Sequence, residues 1–112
     1  MPPEDRIRVL HRVEAANTAL RFVTGRRRED LDNDEMLLFA LLRSVEVVGE
    51  AASRVSPETR AAAPAVPWAS IVAMRNRLVH AYFDVDRNIV WRTVTEELPP
   101  LISLLSSLTD NE

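Results

Sequence analysis

The chain has 112 residues, no Cys and a formal net charge of -3. That length suits one domain with a modest core, the absence of Cys excludes a disulfide framework or thiolate metal site, and the acidic balance excludes a long-range basic field for drawing in nucleic acid. Aliphatic residues and Ala dominate, aromatics are few and only two Gly are present, which favours an all-α protein over short strands joined by tight turns.

No internal repeat or low-complexity segment interrupts the chain. A first helix is expected from about Glu4 to about Thr24, with Ile7, Leu10, Val13 and Leu20 at helical spacing and Gly25 placed to cap its C-terminus. The following "RRREDLDND" reads as a polar connection, in which Glu29 and Asp30 dilute the field of Arg26, Arg27 and Arg28. Asn33 or Asp32 can cap a second helix whose first turn holds Asp34 and Glu35, both favourable at the positive end of the helix dipole. Its inner stripe runs through Leu38, Leu41, Leu42, Val45 and Val48 to about Val55. On another face Glu46, Glu50 and Arg54 follow at four-residue intervals, the spacing of an ion-pair ladder and a poor arrangement for paired acid and base carboxylates.

Ser56-Pro57 is an N-cap followed by proline at the first helical position, so "SPETRAAA" reads as a short helix stopped by Pro64. Pro67 restarts the chain and "PWASIVAMRNRLVHAY" forms the next helix. Asp84 or Asp86 caps the last one, "RNIVWRTVTEELPPLISLLSSL", in which Pro99-Pro100 should produce a kink. The expected architecture is a compact bundle of four main helices plus one short helix, a single domain over residues 1–112. The N-terminal "MPPEDRIRVLHRVE" lacks the apolar run of a signal peptide, and no stretch approaches the roughly 18 apolar residues of a membrane span, so a soluble cytoplasmic protein is expected.

One stretch departs from the Ala, Leu, Val and Arg of its surroundings: "MRNRLVHAYFDVD", residues 74–86. His80 on a mostly apolar helix reads first as a structural residue, but Asn76 lies one turn back, within reach of the imidazole, and Arg75 and Arg77 supply cations. A group titrating near neutrality and a guanidinium that steadies charge on phosphoryl oxygens are what action on a phosphodiester requires. Arg75 and His80 stand about 140° apart around a straight helix, so a working site needs the long Arg to curl round, the helix to end near His80, or a second copy of the chain across a cleft, the last two together being the favoured arrangement. Tyr82 fits either a helix anchor or a functional group. Asp84 and Asp86 read as caps, His11 as solvated surface, Trp68 and Trp91 as core or interface anchors. With two His and no Cys, no preformed metal site is expected and no cofactor is implied.

The pattern Arg75, four residues, His80, one residue, Tyr82 resembles the signature of the HepT-like branch of the HEPN superfamily. The resemblance extends to "SVEVVGEAASRVS", "VPWASIVAMRN" and "NIVWRTVTEELPPL", in the family's order and over effectively the whole chain. It implies a ribonuclease toxin of a toxin–antitoxin pair, a homodimer whose cleft joins two copies of the motif. Its antitoxin would be a MntA-type nucleotidyltransferase that silences the toxin by attaching AMP to Tyr82. In a metal-free mechanism His80 moves protons, Arg75 stabilises the oxyanion, Asn76 orients and Arg77 is a candidate RNA contact. Two other readings stand beside it: a non-catalytic, nucleotide-binding helical partner of the nucleotidyltransferase, and a dimeric adaptor whose polar motif fixes its register.

Overall fold

The computed structural model describes residues 1–79 and 86–110, which are helical with no strand among them. In chain order they form α1 (Pro3–Val23), α2 (Asp30–Asn33), α3 (Glu35–Ser53), α4 (Pro57–Ala62), α5 (Trp68–Val79), α6 (Arg87–Arg92) and α7 (Leu98–Asp110), a π-helical turn over Thr93–Glu97 joining the last two. Four long elements and the short α4 match the expected bundle; α2 is an additional single turn inside the polar connection.

The helix boundaries follow from local chemistry. Gly25, at φ 75°, carries the chain out of α1 through the left-handed region that side chains other than glycine avoid. The cap of α3 is Asp34, and neither Asn33 nor Asp32: its Oδ1 accepts from the Leu37 N–H at 3.0 Å, because the two preceding residues are taken up by the α2 turn. Ser56 caps α4 ahead of Pro57, accepting from the Thr59 N–H at 3.3 Å, and Asp86 caps α6 by accepting from the N–H groups of Asn88 and Ile89.

The proline pair of the last helix acts one turn earlier than its position suggests. Pro99 and Pro100 have no N–H, so the carbonyls of Thr95 and Glu96 lose their usual donors and the rings crowd the preceding turn. The chain answers by widening: the Leu98 N–H reaches back five residues to the Thr93 carbonyl, and the expected kink takes the form of this π-helical turn.

Helix α3 is the centre of the molecule, packed against both α1 and α5. Its stripe of Leu38, Leu41, Leu42, Val45 and Val48 is buried as the periodicity requires. Arg8, near the start of α1, donates to the Arg54 carbonyl just past the end of α3 at 2.8 Å, so the two helices run antiparallel. The face that α1 turns inward is not the expected one. Ile7 and Leu10 are exposed, Val13 and Leu20 half-buried, and the buried residues are Asp5, Val9, Arg12, Ala16 and Ala19. Small Ala16 and Ala19 bring α1 close to its neighbours, a gain in packing that the larger side chains on the opposite face do not provide.

Candidate functional site

Helix α5 owes its placement to its first residue and to one side. Trp68 is buried and its indole N–H donates to the Ala63 carbonyl at 3.1 Å. Ile71, Met74 and Leu78 then form the core face. Arg75 lies beside that face and is half-buried against α3, where its stem crosses Gly49. Its Nη1 donates to Asn76 Oδ1 at 3.2 Å, while its buried Nε has no acceptor among the described residues. No carboxylate pairs with this guanidinium among the described residues, an arrangement that leaves its charge for a ligand.

The other motif residues divide between placed and undescribed. Asn76, expected to orient the imidazole, steadies Arg75. Arg77 is about 160° away around the helix and faces the π-helical turn, with Nη2 at 3.7 Å from Glu97 Oε2 in an exposed pair. With Ile71, Met74, Leu101 and Leu104 it lines a groove of about 590 Å³. His80, Tyr82 and Asp84 lie outside the described residues. Another strip of the α5 surface carries the uncharged Ala69, Val72, Ala73 and Asn76.

Groups given bland readings from sequence keep them. His11 is exposed. Arg26 pairs with Asp34 at 3.1 Å, and Arg28 with Asp32 at 3.0 Å. Glu50 pairs with Arg54 as the ladder requires, whereas Glu46 turns back to Arg43, each at 3.1 Å. Among the described residues no group of three His, Cys, Asp or Glu is placed to hold a metal ion.

Two buried charges on α1 escaped the sequence reading. Asp5 accepts from the Ser56 N–H and from the hydroxyls of Ser56 and Thr59, tying α1 to the cap of α4. Burial pushes its pKa up, but the two hydroxyl bonds, the backbone bond and the charge of Arg8 together hold it below the ordinary carboxylate value. Arg12 is fully buried, and Nε, Nη1 and Nη2 all lack acceptors among the described residues. Its guanidinium carbon sits 5.1 Å from the Trp68 ring centroid, a cation–π contact. Burial first, and then the charge of Arg60, lowers its pKa to about 9. Charged residues at positions 5 and 12 of an Arg-rich helix look like surface, so nothing in the pattern singles them out.

Residues 13–108 match the family described as ribonuclease HepT-like. The chain belongs to the HepT-like ribonuclease family. Among its HepT-like relatives, a provisionally named RNase of Methanocaldococcus jannaschii is 33% identical over 89 residues, 80% of this chain and 82% of that one. A provisionally named RNase of Caldanaerobacter subterraneus is 33% identical over 102 residues, 91% of each chain. A ribonuclease HepT of Thermococcus cleftensis, also named provisionally, is 38% identical over 73 residues, 65% of this chain and 66% of that one. No solved structure matches at a significant level. The HepT-like match includes all of α3 and α5, hence Gly49, Arg75 and Asn76. No helix among the described residues is long and apolar enough to cross a membrane.

Proposed function

We propose that the protein is a metal-independent endoribonuclease toxin that works as a homodimer. The observation carrying this reading is the Arg75 guanidinium: half-buried on a core helix, braced by Asn76 and free of any carboxylate among the described residues. Family membership supports it. In the reaction, the RNA 2′-hydroxyl attacks the adjacent phosphorus as His80 takes its proton. Arg75 stabilises the negative charge on the phosphoryl oxygens, and the leaving 5′-oxygen receives a proton. The products are a 2′,3′-cyclic phosphate and a 5′-hydroxyl. The neutral strip of Ala69, Val72, Ala73 and Asn76 supports dimer formation, since a two-fold axis beside α5 would set two motifs across one cleft. Arg77, on the other side of the helix, is a candidate contact for RNA beyond the scissile phosphate.

Silencing belongs to the same proposal. A MntA-type nucleotidyltransferase partner, with ATP and Mg²⁺, would join the Tyr82 oxygen to the α-phosphorus of ATP and release pyrophosphate. The AMP would add bulk and negative charge to the motif that carries Arg75 and oppose RNA binding without unfolding the protein.

Cleavage of RNA by the purified protein in EDTA tests the catalytic part. Arg75→Ala and His80→Ala should each reduce the rate by about 10²- to 10⁴-fold with the fold retained. Inactive wild-type protein, or a variant that loses activity only by unfolding, would remove the assignment.

A further inference from the structure

Gly49 is in the interior of α3, where glycine weakens a helix relative to alanine. Its backbone is not in the left-handed region, since Gly25 alone among the described residues has a positive φ. Conformation therefore does not call for glycine here, and space does. A Cβ at Gly49 would fall 2.1 Å from Cβ of Arg75, 2.6 Å from its Cγ and 3.2 Å from its Cδ. The closest of these atoms, Cβ, is fixed to the α5 backbone, so no rotamer change clears it and α5 itself must move.

The same contact fixes where the guanidinium goes. Three consecutive stem carbons of Arg75 lie across the bare α3 backbone, and Nη1 is held by Asn76 Oδ1 at 3.2 Å. The edge bearing Nε and Nη2 is left as a two-donor fork, with Nε already stripped of water and without an acceptor among the described residues. We propose that Gly49 is a positioning residue for Arg75: the missing Cβ forms a slot in α3 that seats the stem and aims the fork at the phosphoryl oxygens. The catalytic consequence rests on the ribonuclease reading above; the slot does not.

Gly49→Ala separates α3 from α5 at this crossing, and a misplacement of about 1 Å can cost about 10²-fold in rate. The test is single-turnover cleavage of a short RNA by the full chain, comparing wild type, Gly49→Ala, Arg75→Ala and the double variant, each corrected for its folded fraction by circular dichroism. Gly49→Ala should lower kcat by about 10- to 100-fold with KM little changed, and the double variant should be no slower than Arg75→Ala. A folded Gly49→Ala protein with wild-type kcat overturns the proposal. So does a double variant slowed by the further full factor, because Gly49 would then act on something other than Arg75. Where Gly49→Ala does not fold, nitrogen-15 relaxation of the Arg75 Nε–H in the wild type decides. A side chain as rigid as the helix backbone supports the slot, and a motionally averaged one refutes it. Absence of cleavage by wild type would defeat the ribonuclease reading and leave this relaxation measurement as the test of the slot.

Discussion

Replacing Arg12 by methionine should make the protein more stable, although Arg12 is among the most deeply buried residues in the molecule. Its guanidinium has five N–H donors, and none of its three nitrogens finds an acceptor among the described residues. The cost shows in its proton affinity, which burial and then Arg60 bring down to about 9. At about 1.4 kcal/mol per tenfold change, the distance from the ordinary arginine value corresponds to about 5 kcal/mol of penalty on the charged form. Against this stands the Trp68 contact, worth about 0.5–2 kcal/mol. Methionine keeps most of the stem volume and discards the unpaired charge, so a net gain of about 1–3 kcal/mol is expected. At about 4 °C per kcal/mol for a domain of this size, the thermal midpoint should rise by about 4–12 °C.

The pH dependence has a definite sign. The folded-state pKa lies below the unfolded one, so the unfolded chain binds more protons between the two and stability rises with pH there. The penalty is complete below about 9 and is relieved above it, so the advantage of Arg12→Met should be constant near neutrality and shrink from pH 9 upward. Circular dichroism melts at pH 7 and pH 10 measure both effects. Arg12→Ala serves as the control, because it opens a cavity and should destabilise. A lower midpoint for Arg12→Met at pH 7, in a protein that still folds, would refute the reasoning and show that the Trp68 contact outweighs the desolvation.

Asp5→Ala strands the Ser56 and Thr59 donors and should cost about 2–4 kcal/mol in urea unfolding. Because the folded pKa of Asp5 is the lower one, its contribution is present above the ordinary carboxylate pKa and lost as pH falls through the folded value, so the difference between wild type and Asp5→Ala should narrow in acid. Wild-type protein should sediment as a dimer at micromolar concentration. Ala73→Glu, on the neutral strip of α5, should give a folded monomer without ribonuclease activity, and a dimer retained in that variant would relocate the interface. With a MntA-type partner, ATP and Mg²⁺, intact mass should rise by whole AMP units on Tyr82, and Tyr82→Phe should stay unmodified and active; unmodified Tyr82 beside an active partner would exclude this mode of silencing.

Sequence alone determined the features that depend on local order. Proline, glycine and serine at fixed offsets mark where helices start and stop, and the Leu38 to Val48 stripe is long and apolar enough to name its own core face. The family, too, was legible, because its motif is a spacing within one segment. Choices between competing local options were less so. Asp34 rather than Asn33 caps α3, one residue from the expectation, because α2 claimed the residues before it.

Only the tertiary structure decided which face of α1 is inside. Helical periodicity offered Ile7 and Leu10, yet close approach to α3 selected Ala16 and Ala19, and the same rotation carried Asp5 and Arg12 inward to partners more than forty residues away in sequence. Gly49 is the parallel case at the candidate site. An isolated glycine in a helical pattern signals some packing reason, but that it answers to Arg75 depends on α3 and α5 crossing at that residue, a long-range contact that no local pattern encodes.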